Sequence, residues 1–154
     1  MITTRKATIK DLKELQAFHK RLSLFEAQFT NEFNLGWAYG EKGRKYFEKL
    51  LKGRNAFALI AQEGGKMIGY AAASVKKTTF RRRNKLAVLD NLFIADDYRG
   101  KGVGTMLVKE IEKKLKERKV PRLQLFAVRA NERAIDFYKK NGFSEFMSIL
   151  ETDL

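Results

Sequence analysis

The sequence predicts an α+β / α/β fold: a mixed, mostly antiparallel central sheet of six to seven strands with helices on both faces, in the order β-α-α-β-β-β-α-β-α-β. Three observations predict it. The hydrophobic period changes along the chain, so helical and extended segments alternate. Glu63-Gly64-Gly65-Lys66 is a hairpin turn signal between two mostly apolar runs. Gly100, Gly102 and Gly104 crowd the passage from an apolar run into an amphipathic segment, which starts a β-α-β unit with a right-handed crossover.

Taken in order, Ile2–Ala7 reads as a first strand, and Thr8 with Asp11 resembles a capping pair. Leu12, Leu15, Phe18, Leu22 and Phe25 recur at helical spacing, which predicts a helix from Lys10 to Gln28. Phe29–Gly43 is rich in Asn, Gly and aromatics and reads as a loop, followed by a helix over Arg44–Lys52. "AFALIAQE", "MIGYAAASVKK" and "LAVLDNLFIA" are strands, the last long and apolar enough to be central. Val103–Glu117 is amphipathic, with Leu107, Ile111 and Leu115 four apart. "RLQLFAV" is a strand, and "NERAIDFYKKNGF" a helix with Asn131 as N-cap and Gly142 beyond its end. Ser144–Leu154 is expected to return as a strand. One domain spanning 1–154 accommodates all of this.

The chain has 154 residues and 44% apolar residues, enough for a core without disulfides or metals. It has no cysteine, which excludes thiol nucleophiles, cysteine-ligated zinc and disulfides. The one histidine, His19, excludes a multi-histidine metal site, and no metal is expected. No apolar stretch is long enough to span a membrane and no signal peptide is evident, so a cytoplasmic protein is expected. The net charge of +14, from 32 Lys+Arg against 18 Asp+Glu, draws anions: nucleic acid, acidic protein or a polyphosphate cofactor.

The glycine-rich turn says more. A helix that starts near Gly102 presents N–H groups with no partner inside the helix, and its dipole adds positive charge there. Glycines let a phosphate approach the backbone, with Arg99 and Lys101 at the rim, so a pyrophosphate is the natural guest. A plain tight turn is the alternative. Neither GxxxxGK[ST] nor GxGxxG is present.

Arg99-Gly100-Lys101-Gly102-Val103-Gly104 resembles the acetyl-CoA loop of the GNAT acyltransferase superfamily, [RQ]-x-x-G-x-[GA]. A second element of that family, N-x-x-A-x-x-F-Y-x-x-x-G-F, matches at Asn131, Ala134, Phe137, Tyr138, Gly142 and Phe143. The resemblance covers nearly the whole chain. It implies a GNAT-type fold and an N-acetyltransferase that moves an acetyl group from acetyl-CoA directly to an amine, with coenzyme A as product. Polyamine, amino acid, antibiotic and protein acceptors all stay open.

The resemblance also implies site residues. The backbone of Leu92, Phe93 and Ile94 would pair with the pantetheine arm at a splayed strand. The amides of Arg99, Gly100, Lys101, Gly102, Val103, Gly104 and Thr105 would hold the pyrophosphate, and Asn131 would contact the cofactor while capping its helix. Tyr138 would protonate the leaving thiolate; packing beside Phe137 is its plain alternative. Asp90, an acid inside an apolar strand, is the candidate base, directly or through water; pairing with a nearby Lys or Arg is the alternative. A backbone N–H near Phe93 or Ile94 would face the charge that develops on the acyl oxygen.

The resemblance further implies that Leu22–Arg44 forms the acceptor wall; packing of its aromatics in the core is the plain alternative. Glu26, Phe29, Trp37 and Asn91 are candidate acceptor contacts, with Glu32 behind them, since aromatics and acids suit a cationic amine. Lys76–Lys85 has six basic residues in ten. It reads as a solvated hairpin tip, a clamp for the 3′-phosphate of CoA or an acidic substrate, or a nucleic-acid contact. A homodimer is compatible with the sequence. A basic RNA- or ribosome-associated binding domain is the competing class, but it leaves both motifs unexplained; a CoA-binding pseudoenzyme is a third, disfavoured by the intact loop and Tyr138.

Overall fold

The computed structural model describes all residues, Met1–Leu154. Five strands form one sheet in the order β1 (Ile2–Lys6), β2 (Ala56–Glu63), β3 (Lys66–Lys77), β4 (Lys85–Ile94) and β5 (Leu123–Gln124). The first four are antiparallel neighbours and β5 runs parallel to β4. Four helices accompany them: α1 (Leu12–Glu26), α2 (Glu41–Lys52), α3 (Val103–Glu117) and α4 (Glu132–Lys140). Short 3-10 turns occupy Ile9–Asp11, Trp37–Tyr39 and Asp96–Tyr98.

The strand sequences explain the layers. Successive strand residues face opposite sides, and β3 is buried on both from Met67 to Ala73. One face of the sheet packs on α3 through Val103, Leu107, Val108, Ile111 and Leu115. The other packs on α1 and α2 through Leu15, Phe18, Phe47 and Leu50. Burial of each such large side chain contributes about 1.5–3 kcal/mol. Helices on both faces are therefore as expected.

The first turn is held as its sequence suggested. The Thr8 N–H donates to Asp11 Oδ2 at 2.7 Å, and Arg5 of β1 pairs with Asp11 Oδ1 at 2.8 Å. The Arg5 guanidinium is the main reason the Asp11 carboxyl sits down at about 2. α1 ends at Glu26, two residues short of Gln28, and α2 starts three residues earlier than Arg44, at Glu41.

The strand count is corrected. There are five strands, not six to seven, because Ser144–Leu154 forms none. β5 is two residues rather than the whole of "RLQLFAV". A strand exists only where a neighbouring edge supplies its hydrogen bonds. β5 meets β4 only at Ala87 and Val88. The tail meets no edge, and Phe146, Met147, Ile149 and Leu150 lie exposed.

Candidate active site

The site begins where β4 loses a neighbour. After Val88 no β5 residue pairs with it, while its other edge stays paired to β3 up to Ile94 opposite Gly69. Ala95 donates its N–H to Ile68 O on the β3 side. Strand N–H groups alternate sides, so those of Leu92 and Ile94 face the open edge. At the same edge Ile94 O accepts a 3.0 Å hydrogen bond from Arg99 Nε.

β4 also carries a bulge. Ala72 pairs with Asn91 and Ala73 with Leu89, leaving Asp90 without a partner across the ladder. Such an extra residue breaks the alternation of side chains. Asp90 and Asn91 consequently both face α2: Asn91 Nδ2 donates to Tyr46 Oη at 2.8 Å, and Asp90 lines a cavity with Tyr46, Lys49 and Leu50.

Beyond Ile94 the chain turns through Asp96–Tyr98 into the glycines. Gly100 and Gly102 have φ of 75° and 80°, a left-handed backbone that side chains resist. A Cβ at either would meet nothing within 4 Å, so the surface above the turn is open. No side chain caps α3, which leaves the N–H groups of its first turn free for an anion. This cradle fits a pyrophosphate. Gly104 has a different reason: a Cβ there would lie 3.1 Å from Phe137 Cζ, so the glycine lets α4 pack on α3. The side chain of Val103 is buried, leaving only its amide for a ligand; Thr105 is half-buried.

Arg99 is not the free rim cation the sequence suggested. Its guanidinium pairs with Asp96 at 2.9 Å and lies 4.6 Å over Phe25 and 5.2 Å over Phe93. Lys101 remains exposed, 5.2 Å over the Tyr98 ring.

Asn131 caps α4, its Oδ1 accepting from Ala134 N at 3.1 Å. Two helical turns beyond the cap, Tyr138 packs edge-on against Phe137 and Phe143. Burial, and then the negative charge of Glu26, push the Tyr138 phenol up to about 12. Glu26, at the end of α1, is therefore brought near Tyr138. Its own carboxyl is raised by burial. Asp90 is raised too, mainly by burial; the neighbouring Ser74 and Tyr46 hydroxyls and the Lys76 ammonium offset part of this. Its Oδ2 is buried without a hydrogen-bond partner.

The remaining acceptor candidates divide. Phe29 packs on Phe25 with ring centroids 5.7 Å apart, beside Arg99, while Glu32 is exposed. Trp37 packs between His19 and Tyr46, 5.4 and 5.3 Å away, and braces α1 against α2. His19 is itself lowered by burial and sits against Phe47. Sequence reasoning missed Tyr46, Ser74 and Tyr70. Tyr46 and Ser74 flank Asp90, and the wholly buried Tyr70 hydroxyl has no hydrogen-bond partner. Only the polar position of Ser74 in an alanine-rich strand, and the tyrosine in α2, could have signalled the first two. No group of three or more His, Cys, Asp or Glu could hold a metal ion, and no helix is long and apolar enough to cross a membrane.

A helix N-terminus open to an anion thus follows a strand whose β5-side edge is unpaired beyond Val88. The family model for the acetyltransferase (GNAT) family matches residues 18–143, and the chain belongs to that family. It is 28% identical over 144 residues to an uncharacterized N-acetyltransferase of Methanocaldococcus jannaschii, covering 93% of this chain and 61% of that protein. It is 28% identical over 80 residues to the thialysine N-epsilon-acetyltransferase of Bos taurus, 52% of this chain and 46% of that one. The chain thus spans about half to three fifths of the length of these two relatives. In fold it is similar to a tetramutant of a Bacillus halodurans protein, with a TM-score of 0.83, 21% identity and 99% of each chain covered.

Proposed function

We propose that residues 1–154 act as one N-acetyltransferase domain that moves an acetyl group from acetyl-CoA directly to a primary amine of a small molecule or protein, in a ternary complex with no acyl-enzyme. The observation that carries this is the uncapped N-terminus of α3, with Gly100 and Gly102 open above it, reached directly from the unpaired end of β4. The names of the relatives agree with the reaction class.

Acetyl-CoA supplies an acetyl group already activated as a thioester. The chain supplies position and protons. The first-turn amides of α3 hold the pyrophosphate. The open N–H groups of Leu92 and Ile94 favour Ile94 over Phe93 as the donor to the acyl oxygen, worth about 3 kcal/mol of barrier where such a donor is well placed. Asp90 draws the proton that an attacking amine must lose, and its raised pKa makes it a stronger base than an exposed aspartate. Tyr138, held at about 12, is always protonated at neutral pH and donates a hydrogen bond to the departing sulfur. The absence of cysteine agrees with transfer that needs no covalent intermediate on the protein.

The test is thiol release from acetyl-CoA across a panel of amines, beside RNA binding at two salt concentrations. Thiol release that depends on the amine is expected. Steep salt-dependent RNA binding with no turnover on any amine would replace this reading with a nucleic-acid one.

A further inference from the structure

A cavity of about 230 Å³ opens between α2, the start of β2, and the paired strands β3 and β4. Tyr46, Ser74 and Asp90 are the half-buried polar groups of its lining, and the exposed Lys49, Asn55 and Lys76 stand at its mouth. Its volume lies below the ~300–1,000 Å³ of sites for drug-sized ligands, so it suits something no larger than an amino acid. The cavity carries both signs of charge, and the Lys76 ammonium favours the charged form of Asp90 across it. The only carboxylate is Asp90, whose Oδ2 is buried and unpartnered. Neither Lys49 nor Lys76 enters an ion pair, although seven ion pairs form elsewhere.

We infer that this cavity selects an acceptor that carries a carboxylate as well as an amine, in the manner of an amino acid or a short ω-amino acid. The amine is held by the unsatisfied oxygen of Asp90, and the carboxylate lies at the mouth between Lys49 and Lys76. The inference rests on the reading of Asp90 as the group that meets the acceptor amine. The same charge pattern works against a polyamine, whose second ammonium would face the two lysines. Tyr46 fixes the inner wall: its oxygen accepts from Asn91, leaving its own proton available to the carboxylate beside it.

Calorimetric titration of the chain without acetyl-CoA tests the inference apart from turnover. The probes are glycine, β-alanine and lysine, each against its methyl ester, with cadaverine as the carboxylate-free diamine. At least one free acid is expected to bind about tenfold more tightly than its ester, the scale of two partly exposed ion pairs. Lys49→Gln with Lys76→Gln is expected to erase that preference. Lys113→Gln with Lys116→Gln, the same charge change on α3, is expected to preserve it. Asp90→Asn is expected to weaken acid and ester alike. Esters or cadaverine that bind as tightly as the acids would overturn the inference, as would a preference that survives loss of Lys49 and Lys76. Turnover on amines with no carboxylate preference would also sink it, while leaving acetyl transfer intact. A carboxylate preference without thiol release on any amine would instead remove the catalytic reading and keep the binding one.

Discussion

Asp90 and Asn91 are neighbours in a strand, yet both face α2, because Asp90 has no partner across the β3–β4 ladder. In a regular strand one of them would face α3. The bulge thus concentrates two polar side chains beside Tyr46, next to the strand edge that the cofactor reading requires.

Asp90→Asn is expected to lower kcat/KM most at low pH, where neutral amine is scarce, and to leave CoA affinity unchanged. The groups that face Asp90 are Tyr46 and Lys49 from α2, Ser74 and Lys76 from β3, and Asn91 beside it. Its folded pKa is raised, so the fold binds its proton more tightly than the unfolded chain does. Asp90 therefore costs stability as pH rises through its titration. At neutral pH the Asn variant is expected to melt no lower than wild type, and above it if the cavity admits the amide. A pH–rate profile with a melting curve at each pH checks both. An unchanged profile would move the base to Glu26 or Glu32, or leave the enzyme selecting the neutral amine from solution.

Tyr138→Phe is expected to slow kcat by ~10²-fold, the usual scale for a positioned acid. The loss should shrink with a thioester whose leaving thiol has a low pKa. Burial and the Glu26 charge raise its phenol, and no hydrogen bond within the chain contributes. The melting temperature should therefore stay close to that of the wild type. Full kcat with earlier melting would make Tyr138 a packing residue.

The two glycines of the α3 start should fail differently. Gly102→Glu places a charge where the proposed pyrophosphate would sit and adds strain of about 1–2 kcal/mol at φ 80°. It is expected to lose CoA binding. Gly104→Ala pushes on Phe137 and is expected to lower the melting temperature through α4, with a smaller effect on CoA affinity. Titration calorimetry beside thermal unfolding separates the two.

The basic hairpin tip lies at the far end of β4 from the glycine turn. β4 is ten residues long from Lys85 to Ile94, about 30 Å of chain. Arg81 lies over the Phe146 ring at 4.2 Å. A triple Arg81/Arg82/Arg83→Ala variant is expected to bind CoA and dephospho-CoA in the same ratio as wild type. A ratio that collapses would bring the tip to the 3′-phosphate.

Asp11 sets an acid limit. Its folded pKa, about 2, lies below its unfolded value of 3.8, so its contribution is complete above about pH 4 and is lost as pH falls toward 2. Because Arg5 is partly exposed, the pair is worth on the order of 1–2 kcal/mol. Asp11→Asn should lower stability at pH 6 and differ little from wild type near pH 2 in denaturant titrations.

The sequence alone determined the features that depend on local pattern. The periodicity of Val103–Glu117 marked α3 to the residue, the Gly64-Gly65 turn marked the hairpin, and Asn131 marked the start of α4. The glycine turn was legible because left-handed backbone and an uncapped helix start have residue-type requirements of their own. Tertiary structure decided what depends on distant partners. Ser144–Leu154 carries strand-like residues, but it meets no edge to bond with. Arg99 has the right charge for a phosphate, but Asp96, Ile94 O and two aromatic rings draw it inward. Tyr46 stands 45 residues from Asn91 in the chain and 2.8 Å from it in the fold. Only the packing of α2 on the bulged β4 brings them together, because a contact between distant segments leaves no periodic trace in either one.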